Sequence, residues 1–519
     1  MNDEARRWLS EVLSSDRPPA LARSEQPDRQ ILRELEQGDC LIRLPGEVVV
    51  LKRPGDQKAE VVRRSYWPIV KAVLRNYEPS VIERDSAVRI LVGEVSPPEV
   101  LRIRNGKNAS NFEIPLTEDL RILVAAGPVA EDARQEESLP DASVFLDDPA
   151  RILMGLELRF LREQLPMVGL WLKSLVLPRA AVESAYRENP RPVVLRRLAH
   201  LSEDAGNTRL ARMLTEVVRT NQKVRIGRGQ TGIGRDLIVP PELKSLPTTR
   251  RPWLDRLNIQ LRSFRDQIVE EVSGLDLPTP PLTTSGLIEL ARRAKTYDVY
   301  HSTSIEGYRI RFEDVSLLLG GSPQGALGEE EIRNRMAVVG YSHAFDDILA
   351  RLEENDGALP ITGHLLQDIY ANLFQPSVEA GLVEPAALRG WRTVPVFIRG
   401  SRYVPPAADR VGELMSALIE FLPTIPSAIV SSILAHLMLV TIHPFPDGNG
   451  RVARFLMNAI LIGNGWPWLT VREGERGIYF ESLKEAQLED NARPFARFIA
   501  QRESELVRGI DQGGSSGAR

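Results

Sequence analysis

Nothing restricts the fold of this chain more than Ile429 to Ile442 (IVSSILAHLMLVTI), a run that is apolar almost throughout. Its length and composition suit a helix buried on all sides, and Pro444 and Pro446 bar its continuation. A helix enters, a loop turns, and a second helix leaves. The loop holds Gly448 and Gly450 around Asn449, which lets backbone approach a ligand closely. The second helix is predicted to begin near Arg451, with its unpaired N–H groups aimed back into the loop, and such a helix start favours an anion. Arg451 and Arg454 share one face of the first turn and add two permanent cations. Asp447 suits a hard divalent cation bridging phosphates, and His443 is the one side chain of the stretch that titrates near neutral pH.

Each feature alone is ordinary: a Gly-Asn-Gly turn is usually a turn, and a histidine at a helix end is usually structural. A base, a carboxylate, a glycine loop and two arginines inside one short stretch are a different matter. The segment His443 to Arg454 (HPFPDGNGRVAR) is similar to the signature of Fic-domain proteins, and the resemblance extends through the flanking helices over about residues 285 to 500. It implies transfer of a nucleotide monophosphate, most often AMP from ATP, onto a protein hydroxyl. By this resemblance His443 deprotonates the incoming hydroxyl, Asp447 holds Mg2+, and Gly448, Asn449, Gly450, Arg451 and Arg454 bind ATP. Phe445 matches the family's core-packing aromatic.

The same resemblance gives meaning to three other places. Ser302 and Glu306, one helical turn apart before Gly307, match the family's inhibitory motif in the subclass that carries it on the N-terminal side of the catalytic core. There the glutamate pairs with the second motif arginine, here Arg454, and obstructs the γ-phosphate. Tyr479 and Asn491 match places where family members contact the nucleoside. Leu388 to Ile398 breaks helical periodicity and is predicted as a short β-hairpin; it matches the family's flap, with Val396 to Ile398 as the edge on which a protein substrate would dock by β-addition.

A chain of 519 residues with 43% hydrophobic content is large enough for two or three packed domains. Lysine plus arginine is 66 against 70 for the acids, a net charge of −4 that exerts no global pull on nucleic acid or acidic membranes. Cys40 stands alone, so no intrachain disulfide forms, and no Cys/His cluster has metal-ligand spacing. The N-terminus lacks the apolar core of a signal peptide and no long apolar run follows, which predicts a cytoplasmic protein without membrane contact.

Along the chain, residues 1–13 read as a short amphipathic helix. Ile31, Leu32 and Leu35 then mark a helix ended by Gly38, and Leu41-Ile42 and Val48–Leu51 read as two strands around Pro45-Gly46. Helix and β-ribbon resemble a winged helix, and the order of elements to Arg104 resembles antitoxin regulators of the AbiEi type. That module serves either DNA or protein contacts. Glu131 to Pro140 reads as a solvated acidic loop, and helices run from Pro149 to about Arg219. Arg225 to Arg235 is a glycine-rich loop or hairpin, Leu237 to Pro252 is proline-rich, Trp253 to Val272 is a helix, and Pro278 to Pro281 is a stiff linker.

The fold class expected is therefore mainly α: an all-helical Fic domain with a hairpin flap at 285–505, behind an α+β N-terminal half. Within that half, 1–60 holds a helix and the winged-helix-like module and 61–250 an α+β domain; 251–284 is a helix and linker between the two parts, and 506–519 forms a disordered tail. Three functional readings follow. The first is an adenylyltransferase autoinhibited by Glu306. The second is a hydrolase that removes AMP at the same site. The third is a DNA-binding regulator of the toxin–antitoxin kind with a Fic module.

Overall fold

A computed structural model describes residues 5–9, 20–130, 134–140, 142–221, 251–275, 277, 282–320 and 328–511. The glycine-rich stretch, the proline-rich stretch up to residue 250, the linker at 278–281, residues 512–519 and most of the N-terminal helix lie outside these residues, whereas 506–511, expected in a disordered tail, continue the last helix of the chain's described part. The chain divides into two compact units, one of residues 1–259 with 397–407, the other of 260–396 with 408–519.

In the first unit, helix α1 (Arg29–Gln37) starts where Asp28 accepts from the N–H groups of Gln30 and Ile31, and it ends at Gly38. A three-stranded antiparallel sheet follows, in the order β1 (Ala20–Leu21), β3 (Val48–Leu51), β2 (Leu41–Leu44). Its apolar run is buried on both faces. Leu41, Val49 and Leu51 pack with Ile31, Leu32 and Leu35 of α1, while Ile42, Leu44, Val48 and Val50 face the main core of the unit. Helix α2 (Tyr66–Asn76) ends at Tyr77.

A six-stranded mixed sheet comes next, in the order β6-β7-β5-β4-β9-β8. These strands are β4 (Ser80–Ile82), β5 (Val100–Asn105), β6 (Phe112–Pro115), β7 (Arg121–Ala126), β8 (Gln135–Leu139) and β9 (Ala142–Leu146). Strand β8 corrects the expected acidic loop: residues 135–139 pair antiparallel with β9. It is an edge strand, and charged residues are what an edge tolerates. Helices between Pro149 and Asn221 complete the unit. Residues 397–407 also belong to it: Val404 is buried in its core with its N–H on Ser96 Oγ at 3.0 Å, and Phe397 packs against that core.

The division between units falls inside helix α3 (Pro252–Ser273), after Ile259. The second unit continues with α4 (Thr284–Ile305), α5 (Glu329–Glu354), α6 (Gly363–Glu379), α7 (Ala428–Ile442), α8 (Asn449–Gly463), α9 (Arg476–Glu489) and α10 (Arg493–Asp511). Helix α7 begins at the Ser427 cap and is buried from Ile429 to Ile442, as an all-apolar helix must be. Helices α5 and α6 cross so closely that a Cβ on Gly340 would collide with the Leu373 carbonyl. Helix α10 docks on α3 through Gln267 Oε1, which accepts from Ala492 N at 2.8 Å, and through Arg493–Glu270 and Arg497–Glu271 pairs.

The predicted hairpin between Leu388 and Ile398 is absent. Pro385–Leu388 is a 3-10 turn, and Val396 to Ile398 carries no strand. The reason lies in Arg392 and Pro395. Arg392 N–H donates to Pro444 O at 2.9 Å and its guanidinium to Val394 O at 3.1 Å, drawing this stretch onto the loop after α7, while Pro395 has no N–H for a ladder.

Candidate active site

The site is the turn between α7 and α8. Its first residue, His443, caps α7 in the left-handed conformation (φ 56°), with its N–H on Leu439 O at 2.8 Å. The backbone reverses there, and the ring bends back so that Nδ1 lies 3.1 Å from Val440 O. A carbonyl only accepts, so Nδ1 carries the proton and Nε2 keeps its lone pair. Burial lowers the His443 pKa to about 4, with Arg392 adding to the effect, so the imidazole is neutral and competent as a base at pH 7.

Two residues brace the loop. Asn449 Oδ1 accepts from Phe445 N at 2.9 Å and its Nδ2 donates to Phe445 O at 2.8 Å. Its side chain is therefore a staple of the loop, which leaves its backbone N–H for the role the sequence assigns to the Gly448 to Gly450 backbone. Losing it would leave two buried backbone groups unpaired, at about 1–3 kcal/mol each. Arg392 Nε donates to His443 O at 2.8 Å from the other side. Phe445 is fully buried and stacks on Tyr370, ring centroids 4.2 Å apart and 10° from parallel.

Helix α8 begins at Asn449, two residues earlier than predicted. Its first internal bond runs from Val452 N to Gly448 O, so the N–H groups of Asn449, Gly450 and Arg451 open at the helix start without a partner among the described residues. Gly448 is left-handed (φ 75°), and a Cβ on it would stand 2.7 Å from the Phe374 ring. A Cβ on Gly450 would collide with the Glu306 carboxylate. Both glycines are thus fixed by sterics.

Arg451 and Arg454 are buried. Arg451 lies between the Tyr308 and Phe374 rings, at 5.1 and 4.9 Å, and donates to Tyr308 Oη at 3.3 Å. Arg454 Nη2 donates to Glu306 Oε1 at 2.7 Å and to Ser302 O at 3.0 Å, and Nε donates to Ser302 Oγ at 2.8 Å. Burial opposes the Arg454 charge, but Glu306 and neighbouring hydroxyls more than offset it and hold the guanidinium above its ordinary range. The structure thus joins Ser302 and Glu306 to Arg454, at the pairing the sequence reading names. Glu306 is the C-cap of α4, whose last carbonyls are steadied by Arg476 Nε on Ile305 O at 2.9 Å.

Asp447 is different in character. Its side chain is 69% exposed, and Oδ1 accepts from Gly448 N at 2.6 Å. Among the described residues no group of three metal-ligating side chains occurs. A single open carboxylate fits a Mg2+ ion, which keeps several waters and takes phosphate oxygens for the rest.

Tyr479 and Asn491, the expected nucleoside contacts, both have partners within the protein. Tyr479 is buried, because its place on α9 faces α7, and its hydroxyl meets His436 and Arg454. Asn491, in the turn between α9 and α10, donates to Glu485 Oε2 at 3.0 Å. The sequence reading missed Tyr308, Phe374, Arg392 and His436. Only His436 left a visible signal, as the one titratable side chain in an apolar run.

The sequence profile of the Fic/DOC family matches residues 360–461. A Nematostella vectensis protein named "Protein adenylyltransferase Fic" is 32% identical over 206 residues, 39% of this chain and 45% of that protein. One of the same name from Culex quinquefasciatus is 29% identical over 220 residues, 42% of this chain and 41% of that protein. This chain thus spans less than half the length of these relatives. Among solved structures, a Fic-domain signaling protein from Bacteroides thetaiotaomicron is 19% identical, covers 49% of this chain and 98% of its own, and gives a TM-score of 0.37. No described helix is long and apolar enough to cross a membrane. With the family match lying across the α7–α8 turn and the helices beside it, the chain carries a Fic domain of the Fic/DOC family.

Proposed function

We propose that the protein transfers AMP from ATP to a serine, threonine or tyrosine hydroxyl of a protein substrate and that Glu306 restrains the reaction. The observation that carries this reading is the Glu306–Arg454 pair lying over the open helix start of α8. The names of the curated relatives support the chemistry.

In this reading His443 Nε2 takes the proton of the incoming hydroxyl, whose oxygen attacks the α-phosphate as pyrophosphate departs. The N–H groups at the start of α8 hold the α-phosphate, and Arg451 and Arg454 hold the departing phosphates. Asp447 would hold Mg2+, which supplies charge neutralisation between phosphates. Most of the rate then comes from positioning and from electrostatics in a site already preorganised. The protein substrate docks at the stretch from Val394, which is 53% exposed, through Ile398. That stretch has no strand edge in the present structure, so β-addition there requires it to order on binding.

A carboxylate on Arg454 competes with phosphate for the same donors and adds negative charge where a polyanion must sit. Mass spectrometry of a protein target incubated with ATP and Mg2+ tests the reading. The Glu306→Gly and Glu306→Gln variants should give more AMP adduct than wild type, the second without loosening the helix end. Equal labelling by all three proteins, with intact melting curves, rejects Glu306 as the restraint. A second reading follows from the closeness of Glu306 to Gly450: the carboxylate could align a water that releases AMP from a modified protein. Release of AMP from a pre-labelled target by wild type, lost in Glu306→Gln, distinguishes it.

A further inference from the structure

The buried guanidinium of Arg454 has partners of two kinds. Ser302 and Glu306 reach it from α4 and its C-cap, through Nε and Nη2. Nη1 instead donates to Tyr479 Oη at 3.3 Å, from α9. A phenol oxygen that accepts from a guanidinium must direct its single proton elsewhere, and His436 Nε2 on α7 lies 2.9 Å away.

We propose that Tyr479, oriented by His436, is a positioning residue that keeps Arg454 aimed at the phosphate site once Glu306 has withdrawn. This rests on the nucleotidyl-transfer reading. For phosphate to reach Arg454, Glu306 must leave Nη2, and Ser302 is carried by the same helix. Tyr479 and His436 are on other helices and remain.

His436 is fully buried, and burial together with Arg454 lowers its pKa to about 3, so it stays neutral. Its Nε2 is then the acceptor and Nδ1 bears the hydrogen, for which the described residues hold no partner. An apolar side chain would fill the same space without an unmet donor. What the imidazole adds is an acceptor that fixes the rotation of the phenol O–H, leaving a lone pair towards Arg454. Tyr479 also packs against Phe480 and Phe495, which hold the ring whether or not it has a hydroxyl.

The test uses the full chain in the Glu306→Gly background, reading both steady-state transfer and ATP affinity by calorimetry. Adding Tyr479→Phe should raise KM and Kd for Mg-ATP about tenfold, the lower end of what one charge-assisted hydrogen bond contributes, with kcat changed less than about threefold. His436→Leu should do the same, and His436→Gln, whose amide oxygen can accept the phenol proton, should restore KM and Kd to within about threefold. Unchanged KM and Kd in folded Tyr479→Phe, or equal effects of Leu and Gln at 436, overturn the proposal. If Glu306→Gly itself gives no gain in transfer, the functional reading falls, while the calorimetric comparison still decides whether Tyr479 positions Arg454 for ATP.

Discussion

His443 sits in a left-handed backbone conformation that costs a non-glycine residue about 1–2 kcal/mol, held there by the loop braces of Asn449 and Arg392. With Nδ1 engaged by Val440 O, Nε2 is the nitrogen left to act as the proposed base, while the proposed phosphate site is built from other atoms. Replacing His443 with alanine should therefore lower transfer by roughly a hundred- to ten-thousand-fold and leave ATP affinity nearly intact, as calorimetry would register. The proton balance gives a second expectation. With a pKa near 4 in the folded protein against an ordinary 6.5, the base stays unprotonated well below pH 6.5. The acid limb of kcat/KM should fall near pH 4 to 5, and an inflection at 6.5 would place His443 in solvent. For stability the sign is the same: between pH 6.5 and 4 the unfolded chain binds protons that folded His443 and His436 refuse, so stability falls with acid across that window and is complete above it. At this scale the sequence was most legible where chemistry needs a fixed spacing, from His443 to Arg454 and at Ser302 and Glu306. It was least legible where direction decides: Tyr479 turns inward to His436 on α7 and Arg454 on α8, partners far from it in sequence.

At the scale of elements, the apolar run and the proline stop were enough to place α7, the turn and α8, since a helix without a polar face has only the core to occupy. The same reasoning failed at Gln135–Leu139 and at Val394–Ile398. The first is polar yet pairs as an edge strand, where a ladder to Ala142–Leu146 outweighs poor propensity. The second has the β-branched composition of a strand, yet Arg392 ties its start to the loop and Pro395 interrupts its donors. Tertiary contacts decided the first, and in the second they act together with Pro395. The turn itself is more exacting than its glycines suggest. Gly448→Ala should destabilise the Fic domain by about 1–3 kcal/mol, from left-handed strain together with the Phe374 contact, and should abolish transfer by tilting the start of α8. A melting temperature equal to wild type would mean that Phe374 yields freely and that the turn is not sterically fixed.

For the molecule as a whole, the sequence order suggests an N-terminal half to about residue 250 and a Fic domain from 285, joined by a helix and linker, while the two compact units are 1–259 with 397–407 and 260–396 with 408–519. Residues 397–407 are drawn from the middle of the Fic sequence into the first unit, with Val404 buried there, its N–H on Ser96, and Arg402 and Arg399 reaching Glu99 and Glu60. Helix α3, which precedes the expected start, supplies Gln267, Glu270 and Glu271 to α10 from within the second unit. A fragment beginning at Leu282 keeps α7, α8 and the helices around them, so it should still melt cooperatively. It should melt at a lower temperature than one beginning at Pro252, because the α10 face then loses its partner helix. In both fragments residues 397–407 lose the apolar seat of Val404 and Phe397, so trypsin should cut after Arg399 or Arg402 early, at a rate far above that in the full chain. Protection of those bonds in either fragment would mean that the segment is held by the Fic domain itself, and equal melting of the two fragments would remove α3 from the fold of the second unit.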